Sequence, residues 1–117
     1  MCEIFCFNSN TPKQINKCLE CFYNHSEDHP HGWGLANMQS NEFVIDKEPI
    51  KATCSQHLKD ILSHPVVGKN VFAHIRLATV GEIISPNCHP FTEADDNNRS
   101  WMLIHNGTIF DYPKLDE

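Results

Sequence analysis

The sequence predicts an α+β fold built mainly from antiparallel strand pairs, and three observations indicate it. The apolar patterns run in the order strand, helix, two strands, helix, strand, loop, strand, which is typical of an α+β arrangement. Residues 71–78 show the clearest strand alternation in the chain. Two segments begin with helix-capping residues that are followed by apolar residues at helical spacing. A chain of 117 residues is at most one domain.

The first predicted elements are a strand over residues 3–7 and the helix that follows it. The strand ends in four consecutive apolar residues, as in a strand that is buried on both faces. Thr11 as N-cap, Pro12 at the first helical position and Gln14 in a capping box predict where the helix begins. The helix should end near Asn24, and side chains at helical spacing should give it one buried face: Ile15, Cys18, Leu19 and Phe22.

A hairpin and a second helix come next. The segment Gly32-Trp33-Gly34 begins the hairpin, the return strand contains residues 43–45, and a polar turn over residues 39–42 joins the two strands. Thr53 with Gln56 forms a second capping box, which predicts the start of the helix. This helix should end before Pro65. Its buried side chains should be Leu58, Ile61 and Leu62.

The last two predicted strands lead to polar residues. Residues 71–78 should place alternate side chains on opposite faces, with Val71, Ala73, Ile75 and Leu77 on one face and Phe72, His74, Arg76 and Ala78 on the other. After a long loop, residues 101–104 form another strand, which ends at Asn106 and Gly107. Residues 109–113 resemble the entry to a further element, so we expect residues 1–117 to be a partial domain with an unpaired strand edge.

Composition and charge limit the classes of function. The formal net charge of −6 argues against a nucleic acid or an anionic membrane surface as the main partner. No apolar stretch reaches the length of a membrane span, and residues 1–7 lack the pattern of a signal peptide, so we expect a cytoplasmic protein. In the cytosol the six cysteines are expected to be reduced thiols, most of them in the core.

Cys2 follows the initiator methionine, and this position can make a thiol into a complete catalytic unit. After removal of Met1, the residue would carry both a nucleophilic sulfur and a free α-amine. Because an α-amine has a pKa near about 8, it can act as the general base that a nucleophile otherwise takes from a histidine. Cys2 is therefore a candidate nucleophile.

Three other segments carry candidate binding residues, each with a structural alternative. Arg76 suits a substrate carboxylate, which a guanidinium grips by two parallel hydrogen bonds, or it is a surface arginine. On the same strand face, His74 is more typical of a hydrogen-bonded core residue. Asn106-Gly107 is a common turn sequence, but its amide and backbone N–H could form an oxyanion hole. Gly32-Trp33-Gly34 fits a hairpin start with a buried indole, or a backbone that passes close to a ligand.

The order and spacing of these segments resemble the class II glutamine amidotransferases, the N-terminal-nucleophile branch, and most closely their compact stand-alone bacterial-type members. The matching segments are the Met-Cys-Glu opening at residues 1–3, the Gly-Trp-Gly segment at residues 31–35, the arginine-containing strand at residues 74–81, the Asn-x-His-Pro-Phe segment at residues 87–91 and the His-Asn-Gly segment at residues 105–107. The resemblance covers nearly the whole chain.

The resemblance implies an N-terminal-nucleophile fold, a four-layer αββα sandwich of which this chain holds the N-terminal part. It implies hydrolysis of the side-chain amide of L-glutamine, or of a γ-glutamyl compound, through a cysteine thioester, without a metal or other cofactor. By the same resemblance Cys2 is the nucleophile, Asn106 and Gly107 hold the oxyanion, and four residues bind the substrate: Arg76, Thr79, Gly32 and Trp33. The ammonia would pass to an acceptor or a synthase partner that the sequence does not identify, or escape.

Two departures from the family pattern bear on activity. His31 stands where family members often have an acidic residue. The acidic residue that binds the α-amine of the substrate lies further downstream in the family than Glu117. An ammonium group without its partner binds poorly, so we expect weak or no activity from this chain.

Two alternatives stay open. A catalytically inactive remnant could act as a binding or regulatory protein. The second is a zinc-binding module, whose candidate ligands are Cys18, Cys21, His25, His29 and His31. The two cysteines lie in a predicted helix, however, which the turn between paired zinc cysteines would interrupt.

Overall fold

The computed structural model describes residues 2–39 and 42–107, and it confirms an α+β fold with antiparallel strands and few helices. The elements, in chain order, are β1 (Glu3–Gln14), α1 (Asn16–Asn24), β2 (Trp33–Gln39), β3 (Glu42–Glu48), α2 (Gln56–Leu62), β4 (Val67–Ile75), β5 (Phe91–Ala94) and β6 (Ser100–Leu103). None of the helices in this part of the chain is long and apolar enough to cross a membrane. The further element predicted at residues 109–113 lies outside the described residues.

Four strands form one antiparallel sheet in the order β1-β4-β2-β3. The strand β4 lies between β1 and β2, and its last residue, Ile75, pairs with Glu3 on one side and with Trp33 on the other. The predicted hairpin of β2 and β3 is confirmed, with Gln39 opposite Glu42. The strands β5 and β6 form a separate two-stranded sheet.

The hydrophobic core lies between the helices and one face of the four-stranded sheet. One face of each helix packs against alternate residues of β2 and β4, so burial follows the period of each element. The core residues are Ile15, Leu19, Phe22, Tyr23, Trp33, Leu35, Ala52, Leu58, Val66, Val71, Ala73 and Ile75. Residues 88–90 and His105 approach the opposite face, at Gly34 and His74. This opposite face is the one that carries the polar residues.

The prediction of where α1 begins is wrong. Thr11, Pro12 and Gln14 belong to β1, because this strand continues past an irregularity between Asn8 and Lys13 and pairs again with β4. The capping signal was therefore overridden by strand pairing with a distant part of the chain.

The start of α1 depends instead on Asn16. Its side-chain amide donates to the carbonyls of Leu62 and His64 at 3.0 and 2.8 Å, and its Oδ1 accepts from the backbone N–H of Val66 at 2.7 Å. These partners lie 46 to 50 residues away in sequence, so no local pattern could reveal them. The predicted end of the helix at Asn24 is confirmed.

The predicted cap of α2 is displaced by two residues. The N-cap is Ser55, whose Oγ accepts from the backbone N–H of Leu58 at 3.0 Å. Thr53 lies in the 3-10 turn that precedes the helix, and its hydroxyl donates to Glu27 at 3.0 Å. The apolar face of α2 is where the sequence predicts it, with Leu58 buried.

Two predictions of burial are also wrong. The strand β1 is not buried on both faces: Ile4 is 39% exposed and Cys6 is exposed, while Phe5 and Phe7 pack against the core. This alternation is expected of an edge strand with one face toward the core. Most cysteines lie outside the core, since Cys88 is buried but four others are exposed: Cys6, Cys18, Cys21 and Cys54.

The strand β4 alternates as predicted but is shifted toward the N-terminus. It covers Val67–Ile75, so residues 76–78 follow the strand instead of ending it. The strand β6 agrees with the predicted strand to within one residue. The strand β5 was not predicted, because its four residues are too short to show a periodic pattern inside a long loop.

Candidate active site

The candidate site lies at the edge of the four-stranded sheet where β4 ends and β1 and β2 begin. The register pairs the last residue of β4 with the first residues of the other two strands. The residues just beyond these pairs, Cys2, Arg76 and Gly32, therefore lie side by side. The backbone N–H of Arg76 donates to the carbonyl of Gly32 at 2.8 Å. Segments that are far apart in sequence, and that were predicted to carry chemistry, thus meet at one edge.

Cys2 is held from two sides. Its backbone nitrogen donates to Oδ1 of Asn106 at 3.1 Å, and its partly buried sulfur lies 3.9 Å from the carbonyl oxygen of Leu77. Because Oδ1 of Asn106 faces the Cys2 nitrogen, the Nδ2 end of the same carboxamide points elsewhere and can donate to another group. The structure therefore brings together two residues that the sequence analysis assigned to the nucleophile and the oxyanion hole.

Gly107 follows with a backbone conformation that favours glycine. Its φ is +138°, and within the described part of the chain no atom lies within 4 Å of where a Cβ would be. The positive φ by itself therefore favours glycine at this position. The backbone N–H of Gly107 comes directly after the Asn106 carboxamide, and paired donors of this kind form oxyanion holes.

Arg76 is buried, with 6% of its surface exposed. Its Nη1 donates to the carbonyl of Glu82 at 2.9 Å, and its Nη2 donates to that of Val80 at 3.1 Å. The loop after β4 therefore closes around the guanidinium, and in the part of the chain that the structure describes its remaining N–H groups have no protein acceptor. Thr79 lies in this loop and is exposed. The burial of Arg76 contradicts the alternative of a surface arginine.

Trp33 belongs to the core and not to the rim of the site. Its indole is fully buried, and Nε1 donates to Oε1 of Glu48 at 3.2 Å. The prediction of a hairpin that starts with a buried indole is confirmed. Any contact of Trp33 with a substrate would have to come from its backbone.

The two glycines beside Trp33 allow another segment to approach β2. A Cβ on Gly34 would lie 1.7 Å from the carbonyl oxygen of His89, and a Cβ on Gly32 would lie 2.7 Å from the sulfur of Cys88. Real side chains do not tolerate such distances. The two glycines therefore make room for residues 88 and 89 of the protein itself, and the predicted approach to a ligand stays a prediction.

His31 connects β2 to the loop after β4, a role that the sequence analysis missed. Its backbone N–H donates to the carbonyl of Arg76 at 2.9 Å, and its Nδ1 accepts from the backbone N–H of Ala78 at 2.8 Å. An acidic side chain at this position could accept the same bond.

Three histidines form a cluster beside the site that the sequence analysis did not predict. The rings of His74 and His89 stack with centroids 3.8 Å apart and planes 3° apart, and the ring of His105 lies 4.8 Å from that of His89. Burial is the main cause that lowers the pKa of His74 to about 4 and that of His89 to about 3. Both rings are therefore neutral near pH 7. The prediction that His74 is a hydrogen-bonded core residue is confirmed, since it is 1% exposed and bonds to the backbone of His105.

The ligands of the zinc alternative do not converge. Cys18 and Cys21 are exposed on the uninterrupted helix α1, while His31 is bonded to the loop after β4 and His25 to Glu3. Within residues 2–39 and 42–107, no group of three or more histidine, cysteine, aspartate or glutamate side chains is arranged so that it could hold a metal ion.

Comparison with known proteins gives a match over nearly all of the chain. The sequence profile of a family described as "Glutamine amidotransferases class-II" matches residues 1–116. An uncharacterized protein of Methanocaldococcus jannaschii is 34% identical over 119 residues, which are 99% of this chain and 32% of that protein. The Escherichia coli protein named "Putative glutamine amidotransferase YafJ" is 30% identical over 124 residues, 99% of this chain and 46% of YafJ.

A relative with a more specific name is also found. The glutamine–fructose-6-phosphate aminotransferase (isomerizing) of Chlamydia trachomatis is 34% identical over 86 residues, which cover 72% of this chain and 13% of that enzyme. The chain thus spans less than half the length of these curated relatives, from 13% to 46%.

Proposed function

The chain belongs to the class II glutamine amidotransferases, and we propose that it carries the nucleophile and oxyanion groups for hydrolysis of the glutamine side-chain amide to glutamate and ammonia. The observation that carries the proposal is the 3.1 Å contact between the Cys2 nitrogen and Asn106 at the sheet edge that also holds Arg76. Cys2 would supply both the nucleophile and the base, and Asn106, which contacts it directly, would supply an oxyanion donor.

The proposed reaction begins after removal of Met1. The α-amine of Cys2 accepts the thiol proton, and the sulfur attacks the side-chain carbonyl carbon of glutamine. The oxygen becomes an oxyanion, which accepts hydrogen bonds from Nδ2 of Asn106 and the backbone N–H of Gly107. The carbon–nitrogen bond breaks, and the leaving nitrogen takes the proton from the amine and departs as ammonia.

A γ-glutamyl thioester on Cys2 remains. The α-amine then accepts a proton from water, the hydroxide oxygen attacks the thioester carbon, and the carbon–sulfur bond breaks. The thiolate recovers the proton from the amine, and glutamate is released. No metal or other cofactor takes part in this scheme.

Substrate binding is assigned to the loop after β4. Arg76 binds the α-carboxylate of glutamine or of a γ-glutamyl compound, because a buried guanidinium that keeps free donors favours a bidentate carboxylate. Thr79 lies on the exposed part of the same loop and adds a hydroxyl. Gly32 and Trp33 contribute backbone only, since the Trp33 indole lies in the core.

The proposed activity belongs to a larger domain than the described residues. We infer an αββα sandwich of the N-terminal-nucleophile type, in which the four-stranded sheet with its helices supplies one half. Residues 1–117 by themselves are proposed to be a partial domain with weak or no activity. The acceptor of the ammonia, or a synthase partner, is part of the proposal without an identity, and the cytoplasmic location stays a prediction.

Glutamate release from L-glutamine tests the proposal. The chain that begins at Cys2 and the whole protein that contains it are each compared with Cys2→Ala, and Cys6→Ala serves as the control because Cys6 is an exposed cysteine of β1. We expect turnover in the whole protein that Cys2→Ala abolishes and Cys6→Ala retains. Equal turnover in the Cys2→Ala variant, or no turnover by the folded whole protein, would overturn the proposal.

A further inference from the structure

Two histidines form hydrogen bonds with the backbone of His105, one with its N–H group and the other with its carbonyl. The N–H of His105 donates to Nδ1 of His89 at 3.2 Å, and the carbonyl of His105 accepts from Nε2 of His74 at 3.1 Å. His105 directly precedes Asn106, whose side chain reaches the Cys2 nitrogen. The stacked pair therefore holds the chain at the residue next to the proposed oxyanion group.

The hydrogen bonds determine the tautomer of each ring. Nδ1 of His89 accepts from an N–H, so it carries no proton, and Nε2 of His74 donates to a carbonyl, so it carries one. Nδ1 of His74 is buried without a hydrogen-bond partner in the described part of the chain, and a bare ring nitrogen is tolerated there better than an unpaired N–H. Both rings are therefore neutral Nε2–H tautomers.

Neutrality is a condition for this arrangement. A proton on Nδ1 of His89 would point at the N–H of His105 and break the bond between them. Two charged rings stacked 3.8 Å apart would also repel each other, in a place that already holds the cations of Arg76 and Lys47. The lowered pKa of each ring agrees with this geometry.

Lys47 of β3 fixes the segment that carries His89. Its Nζ donates to the carbonyls of Cys88 and Pro90 at 2.9 and 3.1 Å, and these carbonyls flank His89 on both sides. The same ammonium lies 5.5 Å from the centre of the Phe91 ring, within the range of a cation–π contact. Two contacts therefore fix the position of His89: the hydrogen bonds from Lys47 to the neighbouring carbonyls, and the stacking of its ring on His74.

We propose that His74 and His89 are positioning residues that hold the backbone of His105 between them and so fix Asn106 beside Cys2. The role given to Asn106 rests on the proposed function, whereas the clamp on His105 does not. Asn106 is exposed, and the hydrogen bond that the structure gives its side chain is the one from the Cys2 nitrogen. A displacement of the oxyanion donor by about 1 Å can cost on the order of 10² in rate, which makes a clamp on the preceding residue effective.

Matched substitutions separate the hydrogen bond from the bulk of the ring. The Oδ1 of asparagine can replace Nδ1 of His89 as acceptor, so His89→Asn keeps the bond and His89→Leu removes it. The Nε2 of glutamine can likewise replace the donor of His74, so His74→Gln keeps the bond and His74→Met removes it. His64→Leu is the control, because His64 is exposed and its ring contacts Ser63 and the backbone of Asp60, not the clamp.

Two readouts follow the two parts of the proposal. In His89→Leu we expect hydrogen exchange at the His105 amide to become about 10-fold faster, the effect of losing roughly one hydrogen bond, while His89→Asn and His64→Leu stay at the wild-type rate. In the whole protein, kcat for glutamate release should fall about 10²-fold in His89→Leu and His74→Met with KM unchanged. His89→Asn and His74→Gln should recover most of that loss.

Each outcome decides the proposal. Unchanged exchange at His105 in His89→Leu would overturn the clamp, and changed exchange with unchanged kcat would overturn its positioning role. Turnover that does not depend on Cys2 would instead overturn the proposed function and leave the exchange result valid. If the variants fail to fold, nitrogen NMR of the wild-type rings decides, since a proton on Nδ1 of His89 at pH 7 would contradict the arrangement.

Discussion

The backbone nitrogen of Cys2 and the side-chain oxygen of Asn106 lie 3.1 Å apart, across 104 residues of sequence. The contact joins the start of an edge strand to the turn after β6, so it depends on the position of both sheets. In a chain that begins at Cys2, the same nitrogen is the α-amine. One hydrogen bond would then orient both the proposed base and the carboxamide that receives the oxyanion.

Substitution of Asn106 tests the donor end of this carboxamide. Asn106→Asp keeps an oxygen for the Cys2 nitrogen but removes the Nδ2 donor and adds a negative charge, whereas Asn106→Ala removes both ends. We expect kcat for glutamate release to fall by roughly 10²–10³ in each variant, with little change in KM. Asn97→Ala, in an exposed turn, should keep the wild-type kcat. Near-normal kcat in Asn106→Asp would rule out the oxyanion role.

Substitution of Arg76 tests recognition of the carboxylate. Arg76→Lys keeps the charge but cannot donate two parallel hydrogen bonds, so KM for glutamine should rise by about 10-fold or more. Arg99→Lys is the matched control, because Arg99 is exposed and pairs with Asp95 at the β5–β6 turn. Thermal unfolding of both variants checks that the loop around Arg76 survives. An unchanged KM in folded Arg76→Lys would contradict the assignment.

Substitution of Gly34 tests the close approach between β2 and the segment of His89. In Gly34→Ala the new methyl group would lie 1.7 Å from a backbone oxygen that cannot rotate away. We expect the free energy of unfolding to fall by about 2 kcal/mol or more. Gly107→Ala meets backbone strain but no neighbouring atom among the described residues, so it should cost about 1 kcal/mol. Equal small effects in urea unfolding would show that the two segments are not in contact.

The stacked histidines predict how stability depends on pH. The folded pKa values of about 4 for His74 and about 3 for His89 lie below the unfolded value of 6.5. At pH values between the folded and unfolded pKa values, the unfolded chain therefore binds more protons than the folded chain does. The contribution of the two histidines to the free energy of unfolding is therefore complete above about pH 6.5. It is lost as the pH falls toward their folded pKa values. His57, whose pKa Asp46 raises, acts in the opposite direction.

A comparison of variants isolates this contribution. The free energy of unfolding in urea, measured at pH 7.5 and pH 5, should fall less in His89→Asn than in the wild type, because asparagine does not titrate. Each unit of pKa difference corresponds to about 1.4 kcal/mol. Identical losses in the two proteins would mean that His89 does not titrate with a lowered pKa in the folded state.

Periodic patterns predicted the elements better than their boundaries. Alternation identified β4 and the β2–β3 hairpin, since the burial of one face leaves a direct trace in the residue order. Capping signals failed at both helices. The start of α1 is fixed by Asn16 through partners 46 to 50 residues away. The N-cap of α2 is Ser55 instead of Thr53.

The site was predicted in part, and for an identifiable reason. Cys2, Arg76 and Asn106 were singled out by residue type and order, and the fold brings them to one edge. The contacts that support them were missed, because the approach of a loop to the back of a sheet has no periodic signal in sequence. The stack of His74 on His89 is of this kind, as it joins a strand residue to a residue beside a proline in a distant loop.

The most direct test of the central claim is covalent labelling of the whole protein, processed to begin at Cys2, with a chloroketone analogue of glutamine. Peptide mapping by mass spectrometry locates the label, with Cys2→Ala as the control and excess L-glutamine as the competitor. The account predicts a single adduct on the Cys2 sulfur that glutamine prevents and Cys2→Ala abolishes, with the exposed Cys6 unlabelled. An adduct on another residue, or labelling of Cys2 that glutamine does not slow, would contradict it.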